Sequence, residues 1–221
     1  MELYDVMHTT FAARQFTADA VPDALLHRIL DHARFAPSGG NRQGWRVIVV
    51  RDPATKGALA DLSAPAAKRY AAQQQAGESP WNTIDRSGVT ADVIARTPAP
   101  ARLTESLRHA PVVLVVCVDL RVVASTDQAL SRVGVISGAS IYPFAWNILL
   151  AARHEGLAGT ITTLAVAEEP KLQALLGLPP HVAVAAVMPV GRPAQPLTKL
   201  KRKPVAEIAM HERWGGPPLT S

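Results

Sequence analysis

The run APVVLVVCVDL, residues 110–120, constrains this chain more than any other stretch. It is apolar and largely β-branched with no polar alternation, so it reads as a strand covered on both faces, at the centre of a sheet. Such a strand needs a layer on each side. In TADAVPDALLHRILDHARFAPS, Leu25, Leu26, Ile29, Leu30 and Ala33 share one helical face, Pro22 suits the first turn, and Pro37 predicts an end near Ala36.

The remaining pattern alternates helices and strands. WRVIVVR, from Trp45, reads as a strand, and a helix is predicted near DPATKGALADLS. Residues 64–105 are rich in Ala, Gln, Pro and Thr and read as irregular, a covering over a functional site with Tyr70 and Trp81 as its aromatic anchors and Arg86 beside them. From Leu130 to His154 the chain is apolar nearly all round, which predicts one long buried helix. Gly134 and Gly138 would let a neighbour approach it, Pro143 would kink it, and a subunit interface would cover it. EGLAGTITTL then reads as a glycine stop and a strand, VAEEPKLQALLG as a short helix, and HVAVAAVMPVGRP as a last strand. Long helices set against four or five strands favour an α+β fold, with helices packed about one sheet in a single domain spanning 1–221.

Composition excludes several function classes. No apolar run approaches the about eighteen residues of a membrane span, and the N-terminus lacks a basic region followed by an apolar block. The expectation is a cytoplasmic protein with no membrane partner. The single cysteine, Cys117, lies inside the apolar run and reads as a buried, inert thiol. The net charge of +5 is partly local: Arg192, Lys199, Lys201, Arg202, Lys203 and Arg213 fall together near the C-terminus. That suggests one anion site, with a solvated tail as the bland alternative. The glycine-rich turns of dinucleotide and P-loop folds are missing, and the seven histidines show no metal-ligand spacing, so no metal is expected. Ser38 stands in helix–loop–strand order, the reverse of a nucleophile elbow, and a hydrolase has little support.

The loop in RFAPSGGNRQGWRVIVV is a polar cradle. Ser38 offers a hydroxyl, Gly39 and Gly40 let backbone amides approach a ligand, and Asn41, Arg42 and Gln43 add donors and acceptors at the mouth of a strand. A helix cap followed by a turn would explain the glycines and Asn41, though not the whole polar string.

APSGGNRQGW followed by RVIVV, with RQF some twenty residues upstream and HEGLAGTITTL, LGLPPHVAVAAVMPVGRP and KRKPVAEIAMHERW downstream, resembles the FMN-dependent nitroreductase and flavin reductase family. The match runs from about residue 5 to residue 214 and is weakest over 64–105. The resemblance implies a nitroreductase-like α+β fold with a mostly antiparallel sheet, and an intertwined homodimer with FMN in two interface clefts. It assigns Arg14 to the flavin, and Pro37, Ser38, Asn41 and Gln43 to the ring and ribityl chain, delivered from the partner chain. Gly39 and Gly40 belong to the same loop, Gly159 and Thr160 to the turn facing the ring, and Lys201 and Arg202 to the phosphate. The tail, 204–221, would reach toward the partner.

The implied activity is two-electron transfer from NADPH or NADH, through the flavin, to nitroaromatics, quinones or free flavins. The protein need supply no acid or nucleophile, so no catalytic residue is named. The basic surplus slightly favours NADPH. Two departures matter: Thr10, Phe11 and Ala12 stand where the family has arginine, any residue and serine, and Gly44 replaces a proline, which would loosen the loop. Other flavin reactions of the family, including enone reduction, dehalogenation, dehydrogenation and flavin breakdown, are alternatives. So is a non-catalytic flavin- or nucleic-acid-binding protein, although no nucleic acid is expected.

Overall fold

The computed structural model describes residues 1–197 and 199–220. Its sheet is built from β1 (Trp45–Val50), β2 (Val112–Asp119), β3 (Ala158–Gly159) and β4 (Val182–Gly191), in the order β1-β2-β4-β3 with every pairing antiparallel. The helices are α1 (Leu3–Thr9), α2 (Asp23–Ala33), α3 (Pro53–Gln75), α4 (Ala91–Arg96), α5 (Ala101–His109), α6 (Tyr142–His154), α7 (Glu169–Leu176) and α8 (Val205–Ile208). None of the described helices is long and apolar enough to cross a membrane.

β2 is the inner strand that its composition predicts, and the two faces explain its lack of alternation. Val112, Leu114, Val116 and Val118 pack under α2 and α6, against Leu26, Ile29, Phe144 and Ile148. Val113, Val115 and Cys117 face the opposite layer, against Leu59 of α3, Leu107 of α5 and Leu172 of α7. Each fully buried valine contributes about 1.5–3 kcal/mol. Burial also pushes the Cys117 thiol up to about 11, so it stays protonated. Trp45 enters the first layer stacked on Phe144, with ring centroids 4.9 Å apart.

Three expectations need correction. The helix predicted from Leu130 forms only from Tyr142, and Pro143 lies in its first turn, where a missing N–H is harmless, so it makes no kink. Upstream, Asp127 draws the chain into turns by accepting from Ser125 Oγ, Arg132 and the amides of Val135 and Ile136. These bonds outcompete a helix through Gly134 and Gly138, residues that disfavour one. The strand predicted in EGLAGTITTL shrinks to Ala158–Gly159 plus an isolated bridge from Thr162 to Val187.

Residues 64–105 are largely ordered into helices. α3 continues through Pro65 to Gln75, and α4 and α5 follow. The buried face of this extension is built of Ala66, Ala67, Ala71 and Ala72, strong helix formers whose small side chains leave little hydrophobic pattern to read. Residues 76–90 and the short connection 97–100 lie outside helices, and the longer of the two is a loop. Glu78 gathers that loop, accepting from Ser87 Oγ at 2.6 Å and the Gly88 amide at 2.7 Å, which holds its carboxyl below the usual range.

Candidate functional site

The site is assembled where the N-terminal arm meets the edge of the sheet. Ala12 pairs in parallel with Gly159, and the Ala13 amide donates to the Gly159 carbonyl at 3.0 Å. The arm then runs beside the chain leaving β4, with Thr17 N donating to Arg192 O at 2.9 Å and Ala194 N to Gln15 O at 3.0 Å. Gly159 is required there by space. A Cβ at this position would lie 2.7 Å from the Pro189 carbonyl oxygen and 3.2 Å from a Leu149 methyl. Thr160 beside it is buried.

Against this clasp lies a groove of about 640 Å³. Its apolar wall includes Phe11, Phe16 and Leu197, and its polar wall includes Arg14 together with Arg102, Glu105, Ser106 and His109 of α5. Glu105 is already engaged, with Arg108 at 3.4 Å and His109 at 3.2 Å. Arg14 makes one long bond, 3.4 Å, to the Ala12 carbonyl, and neither it nor Arg102 pairs with a carboxylate among the described residues. The groove therefore presents two guanidinium groups available to an anion.

Of the residues singled out in the sequence, Arg14 lines the groove, and the arm that carries it is paired with Gly159, which Thr160 follows. The loop Pro37–Gln43 does not line this groove. It stands exposed at the other end of α2, and its backbone is set by its own chemistry. Ser38 Oγ accepts from the Gln43 amide at 3.0 Å, Gln43 Nε2 donates to Asn41 Oδ1 at 3.1 Å, and the Gly39 amide donates to Ser140 Oγ at 3.0 Å. Gly40, Asn41 and Gln43 all have positive φ, at 61°, 53° and 49°. Two side-chain-bearing residues in that region mark stored backbone strain, held by the loop's hydrogen bonds. Gly44 does not loosen it: a Cβ there would meet a Val122 methyl at 2.7 Å, so the glycine permits tight packing and a proline would not fit unchanged.

Lys201 and Arg202 are exposed and do not line the groove, where the C-terminal segment contributes Gln195 and Leu197. Thr10 is buried, and its hydroxyl donates to the Val6 carbonyl at 2.7 Å, so it is committed to the end of α1. The sequence reading missed α5 altogether as a wall of the site. Its signal, a polar helix with Arg102, Glu105, Ser106 and His109 in its turns, was split by the end of the stretch read as irregular, which took in only its first half.

The chain is similar to known proteins over most of its length. The family model described as the nitroreductase family matches residues 9–192. The NADH dehydrogenase of Thermus thermophilus is 31% identical over 202 residues, which cover 89% of each chain. Human iodotyrosine deiodinase 1 is 26% identical over 209 residues, covering 94% of this chain and 67% of that protein. Among solved structures, oxidised iodotyrosine deiodinase bound to FMN and 3-iodo-L-tyrosine superposes with a TM-score of 0.69 at 22% identity, covering 96% of this chain and 100% of that one. On a family match from residue 9 to residue 192, the chain belongs to the nitroreductase family.

Proposed function

We propose that this protein is an FMN-dependent NAD(P)H oxidoreductase acting as a homodimer on nitroaromatic, quinone or similar electron-poor acceptors. The observation that carries the reading is the clasp of the N-terminal arm on Gly159 at the rim of a groove holding Arg14. The groove's volume lies within the roughly 300–1,000 Å³ of small-molecule sites. Its two available arginines suit a phosphate, and the glycine at the turn lets backbone come close to a planar ring. FMN, held by Arg14 and the Gly159–Thr160 turn, would supply a two-electron carrier between a nicotinamide and an electron-poor acceptor.

The chain's own residues bind and orient. Arg14 neutralises the anionic end, while the Gly159–Thr160 backbone offers donors and acceptors to the ring edge and tunes its reduction. Lys201 and Arg202 reach the phosphate if the tail closes over it. Ser38, Gly39, Gly40, Asn41 and Gln43, with Pro37, serve the groove of the partner subunit. Supporting that division, their loop stands outside its own chain's groove, near broad exposed apolar surface: Phe35 is 73% exposed and Tyr142 43%. Tyr4, 72% exposed on α1, and Trp214, 95% exposed in the tail, add further surface for a second copy. Cys117, a lone buried thiol, suits a reducing compartment, and the proposal is for a cytoplasmic enzyme.

The test is the visible spectrum of the purified protein before and after anaerobic NADPH or NADH. Flavin bands at one FMN per chain that bleach with the nicotinamide are expected. Colourless protein that added FMN cannot reconstitute would overturn the reading. A second reading, reductive dehalogenation, is favoured by the deiodinase relative that covers 94% of this chain. Iodide released from 3-iodo-L-tyrosine by the reduced protein, faster than a quinone is reduced, would make it the leading one.

A further inference from the structure

We propose that Arg102, on the first turn of α5, is a cofactor-phosphate residue of this chain and works beside Arg14 where Thr10 and Ala12 cannot. The inference rests on the FMN reading above. On the arm itself the Thr10 hydroxyl is spent on the Val6 carbonyl at 2.7 Å, and the Ala12 side chain has nothing to donate. A phosphate carrying close to two negative charges would then have too few partners on the arm. The same groove offers a replacement from another element, since Arg102 lines it together with Arg14.

The surroundings leave that guanidinium to a ligand. Glu105, the groove's own carboxylate, is taken by Arg108 and His109, and Arg102 has no carboxylate partner among the described residues. The helix that carries it is firmly seated. Leu107 is fully buried, Arg108 bonds Asp61 of α3 at 2.7 Å, and the Lys56 ammonium donates to the Ala110 carbonyl at 2.7 Å just past the helix end. A side chain projecting from so fixed an element reaches its target at less entropic cost than one on the exposed tail that carries Lys201. A planar guanidinium also matches the phosphate fork better than an ammonium does.

Flavin-fluorescence titration of the full-length chain, freed of flavin, separates the possibilities, because riboflavin is FMN without the phosphate. Arg102→Ala should weaken FMN binding about tenfold or more and leave riboflavin binding unchanged, while Arg102→Lys should keep part of the preference for FMN. Circular dichroism checks that each variant is folded. Unchanged FMN affinity in Arg102→Ala, or equal losses for FMN and riboflavin, would overturn the assignment. Wild-type protein that binds neither flavin would overturn the FMN reading and the assignment with it. Wild-type protein that binds both equally would overturn the phosphate site alone.

Discussion

Two glycine-bearing turns of this molecule do opposite things. At Gly159 the turn faces inward, wedged between β4 and α6 where no Cβ fits, and paired with the N-terminal arm. At Gly39–Gly40 the turn faces outward, exposed, with three consecutive-neighbourhood residues at positive φ and its hydrogen bonds made mainly within itself. The first turn is finished within one chain. The second displays a shaped polar surface away from its own chain's groove, as the proposed sharing of each site between two subunits requires.

Breaking that contrast has graded consequences. The largest is expected on mixing two flavin-deficient variants, Arg14→Ala and Gly40→Val, by refolding them together. If groove and loop come from different chains, half the dimers are mixed and each has one sound site, so about a quarter of the FMN sites return. Recovery of none would show that the loop serves its own chain. Next in size, Gly159→Ala should destabilise the fold by roughly 1–3 kcal/mol in urea unfolding, because the added carbon meets backbone that cannot yield. Gly40→Ala should cost only about 1 kcal/mol, from φ alone, since its nearest neighbour is the flexible side chain of Arg42 at 3.4 Å. A loss at Gly40 equal to that at Gly159 would erase the distinction.

The smallest effect near neutrality is one of pH. Asp127 holds the amides of Val135 and Ile136, and through the turn that ends at Ser140 it steadies the Gly39 amide. The Val135 amide and Arg132 hold its carboxyl well below the ordinary range. A depressed carboxylate stabilises fully above its unfolded value of about 3.9 and loses that contribution as pH falls further. Limited proteolysis should therefore find the 125–140 segment and the Gly39 loop loosening below about pH 4, with the Gly159 turn unaffected. Asp127→Asn should loosen the same segments already at neutral pH.

The parts of the fold that local pattern encodes were legible from residues alone. The unbroken apolar run of β2 announced a strand with a layer on each face, and the spacing of Leu26, Ile29 and Ala33 announced α2. The polar string Ser38–Gln43 announced a presented loop. Where local pattern misled, a competing interaction had won: Asp127 captured amides that a helix through Val135 would have used, and alanines buried themselves in α3 without a visible stripe.

The sequence by itself determined the layered α+β class, the family, and the residue types able to meet a flavin, because periodicity and ordered short motifs are properties of neighbouring positions. Only the tertiary structure decided that positions 12, 14 and 102 border one groove, that Gly159 clasps the arm beside it, and that the Ser38 loop turns away from its own groove. The physical reason is that these meetings join residues far apart in the chain. They are fixed by how α5, β3 and the arm pack about the sheet, and no local pattern records that packing.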